Sequence, residues 1–257
     1  MRRGMLDQLI WWGSIAVETL LLVRGLQTKL LSRYPAFYLY IVFVLSQSFL
    51  RLYVYHWKLF LYRYTYWSTE FVGILVGCGV VFEIFRVGLR AYPGASRMAR
   101  NSLLLLFLVA LVVAAGNAAN DPRWWAEASI TEIQRTMRMV QALSLFALVL
   151  LFLHYSIPFG RNLRGILFGY GLFVAGSVIW LTFAYTGSGH FRNSWFYLYP
   201  MSYDISLLVW IVHLWGYRPN PQTKESAQFE RQYERIAAAT KRRLQEARSY
   251  LDKAIDR

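Results

Sequence analysis

The chain has one cysteine, Cys78, in 257 residues, and only 14 acids against 28 Lys plus Arg. A single thiol excludes an intrachain disulfide and any Cys-rich metal site. Lysine is scarce as well: Lys29, Lys58, Lys224, Lys241 and Lys253 all lie outside the apolar runs. There is no GxSxG elbow, no HExxH or HxxxH spacing, and no glycine loop that follows a strand and could cradle phosphate. Serine hydrolase, zinc hydrolase and nucleotide-binding readings therefore lose the patterns that carry them, and no enzyme is expected. Long polar stretches are also missing before residue 219. With 56% hydrophobic and 18% aromatic residues and a positive mean hydropathy, the composition is that of an integral membrane protein.

The apolar mass comes in blocks. Segments at about 6–23, 36–55, 67–89, 102–119, 133–155, 163–185 and 195–216 each approach the ~20 residues a spanning helix requires. The expectation is an all-α protein with seven transmembrane helices over residues 1–218, followed by a cytoplasmic tail over 219–257. Arg2 and Arg3 before an apolar run resemble a signal peptide, but no small-x-small cleavage site follows and Glu18 interrupts the run, so an uncleaved first span is expected. Arg24, Lys29, Arg33, Arg86, Arg90, Arg97, Arg100, Arg161, Arg164 and Arg218 would fall on one side and set it inside. That orientation is N-outside, C-inside, although Arg2 and Arg3 pull the other way. The net charge of +14 is thus loop arginine and not a nucleic-acid surface, since no basic run carries interleaved base-stacking aromatics.

The tail changes character at Arg218-Pro219-Asn220-Pro221. Phe229, Tyr233, Ile236, Thr240, Leu244, Ala247, Leu251 and Ala254 recur at three or four residues, which predicts one basic amphipathic helix. It would lie on anionic lipid, contact a cytoplasmic or membrane protein partner, or pair as a coiled coil, the last disfavoured by Thr240 and Ala247 in the stripe. Within the spans, the sixth is rich in glycine (Gly165, Gly169, Gly171, Gly176) and the third holds Gly73 and Gly77 at GxxxG spacing, both signs of close helix packing. Tyr- and Trp-dense stretches at 56–67 and 194–203 read as interfacial belts, or as the lining of a pocket on one face. After GNAANDP, the segment WWAEASITEIQ predicts a short interfacial piece feeding a helix capped by Ser129 or Thr131.

Four of the eight acids before the tail fall within spans: Glu18, Glu70, Glu83 and Asp204. Charge in a span is costly and marks either function or a buried pair. Glu70 and Glu83 stand thirteen residues apart on the third span, about 20 Å along a helix. Glu70 and Asp204 would occupy the outer half with Arg51, Arg135 and Arg138, and Gln47, Asn117 and Gln141 could join them. Glu18, Glu83, Arg86, His154 and His213 would occupy the inner half. One reading is an outer ligand cavity with an inner set that relays protons; the other is two structural ion-pair networks. His56 and His190 outside with His154 and His213 inside form a two-by-two arrangement suited to haem, but His56 and His190 lie in or beside loops, and no cofactor or metal is expected.

Two resemblances follow from short stretches. Arg63-Tyr64-Thr65-Tyr66-Trp67 and Asp204-Ile205-Ser206 resemble segments of the third and seventh helices of microbial rhodopsins. Tyr66 stands where that family carries its counter-ion acid and Leu208 where it carries the retinal lysine, so a Schiff base is not implied. Trp11-Trp12-Gly13-Ser14, Tyr66-Trp67-Ser68-Thr69-Glu70-Phe71, Glu83-Ile84-Phe85-Arg86 and Tyr92-Pro93-Gly94 are similar to a group of uncharacterised bacterial seven-span membrane proteins. That likeness implies seven spans in a bacterial inner membrane and carries no activity. The functional expectation is a non-enzymatic sensor or ligand-binding module, with a small proton-coupled transporter or a structural subunit of a larger complex as alternatives.

Overall fold

A computed structural model of the chain describes residues 5–90, 92–120, 126–154, 160–186 and 189–218, and positions 235, 236, 238–240, 243 and 245. Among the described residues the chain is entirely helical, with α1 at Met5–Gln27, a four-residue α2 at Leu30–Arg33, and α3 at Pro35–Trp57. A 3-10 turn at Leu59–Leu61 leads into α4, Tyr62–Gly88. Then come α5 at Pro93–Asn120, α6 at Ala126–His154, α7 at Arg161–Thr186 and α8 at Gly189–His213. Five stretches are long and apolar enough to cross a membrane: Pro35–Trp57, Leu59–Gly88, Ser96–Gly116, Ile133–His154 and Arg161–Thr182. They coincide with the second to sixth expected spans. The proposed tail helix lies almost wholly outside the described residues, as do the Asp121 to Arg123 segment and the side chains of His190 and Asn117.

The elements follow from local chemistry, with two departures from the sequence reading. Pro35 opens α3 because the first helical turn does not need its missing N–H. The Tyr- and Trp-rich link between the second and third spans is almost absent: only Lys58 and the 3-10 turn separate α3 from α4, which starts five residues before the expected 67. Ser129 and Thr131 are not caps either. The helix runs unbroken from Ala126, so the expected interfacial piece is the first turns of α6. Its 29 residues rise about 43 Å, longer than a hydrocarbon core of about 30 Å.

Packing is set by small residues where helices touch. On α7, a side-chain carbon added at Gly165 or Gly169 would collide with His213 or the Trp210 indole of α8, so glycine there is what permits the close approach of these two helices. Gly77 on α4 likewise admits the Tyr170 hydroxyl of α7. An aromatic core fills the space between α3, α7 and α8, with Phe37 and Trp210 at 5.0 Å and Tyr40 and Tyr170 at 5.6 Å, both edge-to-face. α5 packs outermost. It buries Leu103, Phe107, Ala110 and Ala114 on one stripe and leaves Leu104, Leu105, Leu108 and Val112 exposed, as a lipid-facing helix does.

Candidate functional site

α3 and α4 run antiparallel and are fastened near both ends by the two acids of α4. Toward one end, Arg51 Nη2 donates to Glu70 Oε1 at 2.9 Å, to Thr69 Oγ1 at 2.8 Å and to the Tyr66 carbonyl at 3.2 Å. The guanidinium also lies 4.2 Å from the centre of the Tyr66 ring. With the Gln47 amide turned so that its oxygen faces the guanidinium, Gln47 accepts from Arg51 Nη1 at 3.0 Å. Glu70 Oε2 takes a bond from Gln134 of α6 at 3.2 Å. Three helices thus converge on one carboxylate, whose side chain is 12% exposed against 20% for Arg51.

From this centre a buried polar row continues along α6. Gln134, Arg138 and Gln141 are four and three residues apart, which places them on one helix face, and all three are buried. Arg138 Nη1 donates to Gln141 Oε1 at 3.1 Å and to the Tyr170 hydroxyl at 3.2 Å, and the guanidinium sits 4.7 Å from the Phe173 ring centre. Gln141 Nε2 reaches α4, at the Ile74 carbonyl and the Cys78 sulfur, each at 3.3 Å. Arg135 is half-buried on the same helix. The row can hold a polar guest or fix α4, α6 and α7 together, and its members offer both donors and acceptors.

Asp204 goes elsewhere. It accepts from the Ser14 hydroxyl of α1 at 2.6 Å, while the neighbouring Tyr203 hydroxyl donates to Glu18 Oε1 at 2.7 Å. Ser14 and Glu18 are one turn apart on α1, so two adjacent residues of α8 and two of α1 form a reciprocal clasp. Asp204 lies close enough to Glu18 for the two carboxyls to interact electrostatically. Glu18 and Asp204, expected at different levels, are therefore neighbours: each stands nine residues before the last residue of its helix, Gln27 and His213.

The remaining members of the expected inner set occupy separate places. Glu83 accepts from the Ala36 and Phe37 amides at 2.9 and 2.8 Å, acting from α4 as the N-terminal cap that α3 does not supply from its own sequence. Arg86 is exposed one turn along, within electrostatic reach of Glu83. His154 ends α6 at an exposed position. His213 rests on Gly165, with Nδ1 2.9 Å from its own helix at the Val209 carbonyl. Among the described residues there is no group of three or more His, Cys, Asp or Glu able to hold a metal ion.

One residue that the sequence reading passed over ties down the exit of α8. Asn162, fully buried at the start of α7, donates to the carbonyls of His213 and Gly216, both at 2.9 Å, and accepts from the Arg218 amide at 2.7 Å. Arg161 adds a bond to the Val212 carbonyl at 2.8 Å. Arg24 and Arg33 lie over the Trp215 and Tyr217 rings at 3.9 and 4.9 Å. Nearby, burial pushes the Tyr34 phenol up to about 12, so it stays protonated in any physiological range. A lone asparagine behind an arginine has no sequence signature for this role.

Comparison with protein-family models, with curated proteins and with solved structures finds no match to this chain.

Proposed function

We propose that the chain is a seven-span plasma-membrane protein, N-outside and C-inside, that works as a non-enzymatic sensor or ligand-binding module. α1 and α8, 23 and 25 residues long, supply the first and seventh spans. The observation that carries the reading is the meeting of α3, α4 and α6 at Glu70, with the buried polar row of α6 leading inward from it. Glu70, Arg51, Arg135 and Arg138 are the ligand-binding candidates, and Asp204 belongs with α1 in a second polar place. Buried charge on this scale needs a reason beyond holding helices together, because interhelical polar contacts contribute only about 1 kcal/mol each in a bilayer. The grip of Asn162, Arg24 and Arg33 on residues 213–218 supports a mechanical link between the bundle and a cytoplasmic tail at 219–257.

The test is purification of the full chain, of Glu70→Gln and of a chain ending at Arg218 in mild detergent, followed by mass spectrometry of co-purifying molecules. A small molecule lost with Glu70→Gln and a protein lost with the tail are the expected results. Identical sets from all three preparations refute the reading. A proton-coupled carrier is the second reading, favoured by the Glu18–Asp204 clasp, although an odd span count and no visible internal repeat weigh against it. Uptake driven by a pH gradient in proteoliposomes would select it.

A further inference from the structure

α1, α3 and α8 enclose a wedge in which two buried polar atoms, on Glu18 and Tyr38, make no hydrogen bond among the described residues. Glu18, 2% exposed, has Oε1 bonded to Tyr203 while its Oε2 has no partner. The Tyr38 hydroxyl is also buried and without a partner among the described residues. Tyr38 packs against Gly25, two turns beyond Glu18 on α1. Trp210, two turns beyond Tyr203 on α8, meets α3 through Phe37 at 5.0 Å, while its indole nitrogen faces Gly169 of α7, outside the wedge. Seven residues of helix rise about 10 Å, so the Tyr38 hydroxyl lies along the wedge from the carboxyl pair, toward the inner end of the bundle.

We infer that this wedge houses a proton-binding site, with the proton carried on Oε2 of Glu18 and Asp204 as the coupled second carboxyl. Uptake converts the Glu18 carboxylate and one proton to the neutral acid, and the site gains one positive charge; no other reactant is needed. The chemistry favours a proton over a larger guest. An anionic oxygen with no donor in an apolar interior is costly, and a second carboxylate beside it adds repulsion that a shared proton removes.

The groups facing the pair are neutral donors that orient it. These are Tyr203 of α8 on Glu18 and Ser14 of α1 on Asp204; α3 adds the phenol of Tyr40 within electrostatic reach of Tyr203, while Tyr38 lies two turns away against Gly25. The described cations of the surrounding elements are engaged elsewhere: Arg24 over Trp215, Arg33 of α2 over Tyr217, and Arg51 on Glu70. His213 lies against Gly165 of α7, and His56 rests on its own helix at the Leu52 carbonyl.

The experiment is infrared difference spectroscopy of the full chain in nanodiscs, titrated from about pH 4 to about pH 9, the range that brackets free and buried carboxyls. The expected result is a protonated-carboxyl C=O band that titrates, disappears in Glu18→Gln and shifts in Asp204→Asn. A spectrum without such a band, a band that survives Glu18→Gln unchanged, or one that follows sodium at constant pH overturns the proposal. Should Glu18→Gln fail to fold, Tyr203→Phe replaces it. That variant keeps the carboxyl and removes its only donor among the described residues, so the band must move; an unmoved band overturns the proposal equally. The reading of Glu70 as a ligand site stands or falls separately, on its own purification test.

Discussion

Replacing Glu83 asks whether a helix can begin inside this bundle without a cap supplied by another helix. α3 starts at Pro35 with no side-chain cap of its own, and the two amides that follow both point at the Glu83 carboxylate. Glu83→Ala leaves both N–H groups without an acceptor. A buried unsatisfied donor costs about 1–3 kcal/mol, and loss of an N-cap costs about 0.5–2 kcal/mol. Phe37 is fully buried while Ala36 is half-buried and can recover part of its loss from water, so about 2–4 kcal/mol is the expected total. Glu83→Gln keeps one acceptor and turns an NH₂ toward the other amide, for a loss of about 1–2 kcal/mol. Reversible unfolding in mixed micelles measures the totals. Hydrogen exchange of the Ala36 and Phe37 amides measures the local effect, which at about 1.4 kcal/mol per tenfold should accelerate roughly 30-fold or more in Glu83→Ala. Unchanged exchange at these two amides would refute the capping role, whatever happened to global stability.

Other substitutions test the remaining contacts. A double-mutant cycle on Arg51→Gln and Glu70→Gln should give a coupling of about 1 kcal/mol, small because the pair is partly exposed and each partner has other bonds; a coupling of zero would refute an energetic role for the pair. Gly77→Ala pushes a methyl into the Tyr170 hydroxyl and should cost about 1–3 kcal/mol in micelle unfolding, whereas Gly171→Ala, with nothing within 4 Å, should be neutral or slightly stabilising. Asn162→Ala removes three bonds to residues 213–218, so spin labels at Tyr217 should gain mobility while labels on α5 do not.

Helix type and extent were legible in the sequence where apolar runs were long. The second to sixth expected spans coincide with helices of spanning length, because a run of about 20 apolar residues has few other ways to satisfy its backbone in lipid. Boundaries were less legible. Ser129 and Thr131 resemble caps, yet α6 begins before them, since the preference for a cap is worth too little to stop a helix that packs along its length. The glycines of the sixth span signalled a close approach, but not that His213 and Trp210 were what approached.

The amino-acid sequence by itself determined that this protein is helical, that its apolar helices are of membrane length, and that four acids lie among them. It also set Glu70 and Glu83 about 20 Å apart along one helix, from about 1.5 Å of rise per residue, but it put Glu18 and Asp204 at different levels where the structure makes them neighbours. Only the tertiary structure decided their partners. Ser14 and Asp204 are 190 positions apart, and Glu83 meets Ala36 and Phe37 across 47 and 46. Such pairings depend on how each helix is rotated about its axis and which helix stands beside it. In an apolar solvent those choices are made by small residues that let backbones approach and by polar side chains that find one another, and neither is local in sequence.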